Sequence, residues 1–171
     1  MKKIKEIRPL KENSQIKNIE HLFIMYYKNR IKKDCYLEEM FFNIVRQITK
    51  VLKIQDDKLF LNSKEIVEYD LYLKDRLGKL QREKVVKTMQ PDRIIYEIRV
   101  NETHIKHRIL FFPYTVLDDG ILVFCYGFSK TKNKYTHTGI DLTSTLLENT
   151  REIKNLFANS TNIKYFLANE I

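Results

Sequence analysis

Apolar and polar positions repeat along this chain with two different periods, and the change falls near Pro91. Before it, the spacing is mostly three and four. Ile16, Ile19, Phe23 and Tyr26 make one such face and predict a helix over 16–31. Leu37, Met40, Phe41, Ile44, Val45, Ile48, Val51 and Leu52 form an unbroken stripe, with Glu38, Glu39, Arg46, Gln47 and Lys50 opposite. That pattern predicts a helix over 36–54, and Asp34 stands where its N-cap belongs. Ile66, Leu73, Leu77 and Leu80 predict a third helical region over 63–88, with Ser63 as its cap and Gly78 as a weak point or break. Ahead of these, 3–10 reads as a short strand that Pro9 ends or confines to an edge.

After Pro91 the period becomes two. Arg93–Val100 alternates, with Ile95, Glu97 and Arg99 on one face and Tyr96, Ile98 and Val100 on the other. His104–Tyr114 is a second strand, with Lys106, Arg108 and Leu110 opposite His107, Ile109 and Phe111. Asp118-Asp119-Gly120 signals a hairpin, and Ile121–Phe128, apolar on both faces, is a third and central strand. A polar, basic stretch over 129–138 leads to a last helix over 139–158, whose apolar face is Leu142, Leu146, Ile153 and Phe157. The expected fold is α+β: a small twisted antiparallel sheet of three to five strands with helices packed on it, preceded by an N-terminal helical extension. Residues 1–90 form the mainly helical portion and 91–171 the strand meander with its helix, together one compact unit.

Charge adds a partner class. Lys and Arg outnumber Asp and Glu by 31 to 22, a net +9, which points to a polyanion: nucleic acid, an acidic protein or an anionic surface. The bland alternative is a lysine-rich solvated surface. No apolar run approaches a membrane span, and the basic N-terminus lacks the apolar stretch of a signal peptide, so a cytoplasmic location is expected. Cys35 and Cys125 stand far apart in no motif, which suits a reducing compartment. The Leu37–Leu52 stripe is apolar enough to serve a homodimer, although burial within the chain is the preferred explanation.

Chemistry is harder to find. Phosphate loops, zinc spacings and metalloprotease motifs are absent, and His21, His104, His107 and His137 form no metal pattern. Neither metal nor cofactor is expected. What stands out is a cluster of cations on the meander and its exit: Arg99, Lys106, Arg108, Lys130, Lys132 and Lys134, interleaved with Tyr126, Tyr135 and His137. Cations for the backbone and rings for the bases are what single-stranded RNA requires. A solvated loop, and an Arg108–Glu97 pair that merely locks two strands, are the competing readings.

The order of these segments resembles a known family. YEIRV, then HIKHRILFFPY, then GILVFCYGFSKTKNK, then the helix IDLTSTLLENTREI are similar to the core of RelE/HigB-type toxins of bacterial toxin–antitoxin pairs, in particular the phage-derived HigB-like branch, over residues 93–157. The matching positions are Tyr96, Glu97, Ile98 and Arg99; Arg108, Leu110 and Phe111; and Gly127, Phe128, Ser129 and Lys130. Thr131 replaces the second lysine of the family's Lys-Lys pair, and Thr138-Gly139 replaces its Thr-Pro. The resemblance implies a metal-independent endoribonuclease that cleaves mRNA, on the ribosome or off it, and that a cognate antitoxin protein covers. The RNA 2′-hydroxyl would attack its own phosphodiester, leaving a cyclic phosphate and a free 5′-hydroxyl. Arg99, Arg108 and Lys130 would then stabilise the phosphorane, His137 or Tyr135 would transfer protons, and Lys106, Tyr126, Lys132 and Lys134 would hold RNA. The alternatives are a ParE-like toxin that binds DNA gyrase without cutting RNA, and an inactive nucleic-acid- or protein-binding module of a phage or mobile element.

Overall fold

The computed structural model describes residues 1–131, 142–160 and 162–169. Strand β1 (Lys2–Pro9) is followed by a short helix α1 (Phe23–Tyr26) that continues as a wider π-turn over Tyr27–Ile31, and then by α2 (Cys35–Val51). Eight strands come next: β2 (Lys53–Gln55), β3 (Lys58–Leu61), β4 (Lys64–Glu65), β5 (Glu68–Lys74), β6 (Leu80–Thr88), β7 (Tyr96–Asn101), β8 (Ile105–Val116) and β9 (Asp119–Thr131). Helix α3 (Leu142–Ala158) lies near the C-terminus. The strands make one sheet of order β4-β3-β2-β1-β9-β8-β7-β6-β5, curled into a half-barrel. Only β1 and β9 run parallel; all other neighbours are antiparallel.

This corrects the expected architecture. The sheet is nine-stranded and mixed rather than small and antiparallel, and the segment expected to be a third helix is β4, β5 and β6. The apolar spacing there was coincidental. Leu77 and Leu80 are 94% and 58% exposed and sit at a hairpin tip, so they share no buried face. The true period is two: Tyr69, Leu71 and Leu73 pack on the core while Glu68, Tyr72 and Lys74 between them are exposed. Gly78, with φ of 83°, turns the hairpin at a left-handed position that suits glycine. Ser63 is a turn residue and not a cap. Asn62 and Ser63 (φ 50° and 68°) close β3 on β4, and Asp56 and Asp57 (φ 52° and 62°) close β2 on β3. Two successive left-handed residues make the turn whose twist matches paired strands.

The helix expected over 16–31 is broken. Asn18 has a left-handed φ of 53°, and a 3₁₀ turn over Ile19–His21 precedes α1. Ile16 and Leu22 join the apolar layer beneath α3, whereas Phe23, Tyr27 and Ile31 join the layer beneath α2. The segment therefore crosses from one face of the sheet to the other. α2 matches expectation closely: Asp34 Oδ1 accepts from the amides of Tyr36 and Leu37 at 3.1 and 3.3 Å. Its stripe is consumed within the chain, with Leu37, Phe41, Ile44 and Ile48 buried against Ile98, Phe111 and Phe124. Each such side chain contributes about 1.5–3 kcal/mol of burial, so burial within the chain accounts for most of the stripe. On the opposite face Leu146, Ile153 and Phe157 of α3 cover Leu110, Phe112, Val123 and Phe128.

Candidate functional site

Strand register gathers four of the cations singled out above. Arg99 pairs with Arg108 across β7 and β8, and Lys106 pairs with Lys130 across β8 and β9. Residues two apart share a face. Leu110, Tyr126 and Phe128 belong to the α3 layer, so Arg99, Lys106, Arg108 and Lys130 lie on that face too, in two successive rows at one end of the sheet.

Their environments differ. Arg108 is buried at 1% exposure. Its Nη1 donates to Asn101 Oδ1 at 2.8 Å and to the His107 carbonyl at 2.9 Å, and its Nε lies 3.6 Å from Glu97 Oε1. Burial pushes its pKa down to about 10, with Glu97 opposing and Arg99 adding to the shift. Arg99 shares the same carboxylate at 3.4 Å, and its buried Nε has no hydrogen-bond partner among the described residues. Lys106 and Lys130 are half-buried and make no ion pair among the described residues. Tyr126 is fully buried, with its hydroxyl donating to the Lys17 carbonyl at 2.7 Å. Its ring belongs to the core and offers no face to a base. Lys132, Lys134, Tyr135 and His137 lie outside the described residues.

On the other face of the same sheet end is an arrangement that the sequence did not announce. Gly127 of β9 is the seat of the Tyr26 ring. A Cβ there would stand 2.7 Å from Tyr26 Cβ and 2.8 Å from its Cγ and Cδ1. From that seat the Tyr26 hydroxyl reaches His107 Nδ1 at 2.5 Å, and His107 Nε2 reaches Glu102 Oε2 at 2.9 Å. Glu102 is also held by Arg76, and Arg76 by Asp34, the N-cap of α2. An ionised carboxylate only accepts, so Nε2–H donates to Glu102 and Nδ1 accepts from Tyr26.

Electrostatics fit this assignment. Burial lowers the His107 pKa, and the Glu102 contact only partly restores it, so the ring is neutral at pH 7. Burial also lifts Tyr26, to about 12. Burial works to raise Glu102 as well, but its hydrogen bonds from His107 and Arg76 outweigh that and hold it low. Asp34 is held low chiefly by Arg76. Tyr26 and His107 are 81 residues apart, so the pairing has no local signature. Gly127, a glycine among the large side chains Tyr126 and Phe128, was the trace of it in the sequence.

Among the described residues, no group of three His, Cys, Asp or Glu side chains is placed to hold a metal, and no helix is long and apolar enough to cross a membrane. In comparisons with known proteins, no family model, no curated protein and no solved structure matches this chain.

Proposed function

We propose that this protein binds RNA on the cationic end of its sheet and cleaves it without a metal, as the toxin of a bacterial toxin–antitoxin pair. The observation that carries the reading is the pair of rows Arg99–Arg108 and Lys106–Lys130 on adjacent strands. Strands about 4.8 Å apart put Lys106 and Lys130 within reach of one phosphodiester, with the Arg99–Arg108 row behind them. Lys106 and Lys130 have no carboxylate to neutralise them among the described residues. Resemblance to RelE/HigB-type toxins supplies the reaction: attack by the 2′-hydroxyl, with cations stabilising the phosphorane. Lys130 is the best-placed stabiliser. Arg99 and Arg108 act through the field of the site, since Glu97 and Asn101 already hold them.

Arg108 also favours a second reading. A buried guanidinium tied to Asn101, the His107 carbonyl and Glu97 is a structural lock, which suits a non-cleaving binder on the same surface. Induced expression in a bacterial host, with growth followed and mRNA ends mapped within minutes, separates the two. New ends bearing 5′-hydroxyls that vanish in Lys130→Ala support cleavage. Arrest without new ends rejects cleavage in favour of the binder, and soluble protein without arrest rejects the toxin.

A further inference from the structure

Beside the relay lies a cleft of about 660 Å³ lined by Arg30, Tyr36, Arg76, Gln81, Glu83 and Asn101, with His104 and Glu102 among its other walls. Arg76 is its floor. The guanidinium sits over the Tyr36 ring, 4.4 Å from the centroid, and carboxylates of Asp34 and Glu102 hold its edges. Its side chain is still 49% exposed, so the ring and the two carboxylates leave about half of it open to solvent. A guanidinium fixed at its edges and backed by a ring is a rigid flat platform, which is what a nucleobase stacks on.

The acids around the platform sort by their commitments. Asp34 caps α2 and pairs with Arg76. Asp75 Oδ1 accepts the amides of Leu77 and Lys79, both at 2.9 Å. Glu102 holds His107 and Arg76. Glu83 is the exception: its half-buried side chain makes no hydrogen bond or ion pair among the described residues, and neither does that of Gln81 beside it. An uncommitted carboxylate in a cleft needs donors. Guanine alone among the RNA bases presents two adjacent donors, N1–H and N2–H, on its Watson–Crick edge. Arg30 at the rim, exposed and without an ion pair among the described residues, meets the phosphate that such a base brings.

We infer that this cleft reads one unpaired guanine, stacked on Arg76 and held at its Watson–Crick edge by Glu83, with the base presented by single-stranded RNA; the inference rests on the RNA reading above for that source. Fluorescence polarisation with labelled U hexamers, one carrying a single central G, tests it, with GMP titrated separately by calorimetry. The G-containing hexamer should bind at least about tenfold more tightly, and Glu83→Gln should bring that ratio close to one. Glu83 has no partner to lose, so the variant should keep the circular dichroism spectrum of the parent. Equal binding of both hexamers by the parent overturns the guanine site and leaves the RNA reading standing. GMP binding that depends on Glu83, without binding of either hexamer, overturns the RNA source and makes the ligand a free nucleotide. No binding of any probe overturns both.

Discussion

Gly127→Ala is the sharpest test of the packing that holds the buried relay. Gly127 does not occupy a left-handed conformation, so the added methyl acts by contact alone. That methyl would lie 2.7–2.8 Å from three atoms of Tyr26. Overpacking of this kind costs about 1–3 kcal/mol. Displacing Tyr26 also removes the hydroxyl from His107 Nδ1, and an orphaned buried acceptor costs a further ~1–3 kcal/mol. Against this, alanine restrains the unfolded chain by about 0.4–1 kcal/mol. The net expectation is a loss of about 3 kcal/mol, a large share of an ordinary domain's stability. In urea, with a slope near ~2 kcal/mol/M, the unfolding midpoint should fall by about 1.5 M. Tyr26→Ala removes two of the three close atoms, so in that background Gly127→Ala should cost at least ~1 kcal/mol less. A midpoint shift worth under ~0.5 kcal/mol in the parent, or strict additivity in the cycle, would refute the seat.

Other consequences follow from the same geometry. Arg108→Met should destabilise by about 1.5–3 kcal/mol, since Asn101 Oδ1 and the His107 carbonyl lose a charged donor while Glu97, only 6% exposed, keeps Arg99 alone; a thermal melt unchanged from the parent's would contradict the lock. His107 has a folded pKa below its ordinary 6.5, so the unfolded chain binds the proton more readily. Its contribution to stability is therefore complete above pH 6.5 and is lost as pH falls from there towards the folded value. Denaturation midpoints between pH 7.5 and about 5 should show that slope, and His107→Gln should flatten it. Cys125 is buried with its thiol raised well above the ordinary value, whereas Cys35 is exposed. A thiol reagent should modify Cys35 alone in native protein and both cysteines in urea; rapid double labelling of the native chain would contradict the burial.

What the sequence determined by itself was local. The α2 stripe, its Asp34 cap and the period-two segments over β7, β8 and β9 were legible because one residue's neighbours along the chain decide them. The same alternation put Lys106 and Arg108 on one face of β8 and Arg99 on one face of β7, but only the strand register brings these three and Lys130 to a common face. Burial was not legible. The Arg108–Glu97 pair was legible as an alternative and is present at 3.6 Å, but that Arg108 and Tyr126 sit in the core was not, since Asn101 and the Lys17 carbonyl reach them from other segments. Residues 63–88 deceived because Leu77 and Leu80 mimic a helical spacing, and only the pairing of β5 with β6 and β7 shows them exposed at a tip. The relay from Tyr26 to Asp34 and the cleft beside it belong wholly to tertiary structure. Their members come from α1, the start of α2, the β5–β6 hairpin, the β7–β8 turn and β8 itself. Contacts between such distant segments depend on how the sheet curls around α2, and that curvature is a property of all nine strands together.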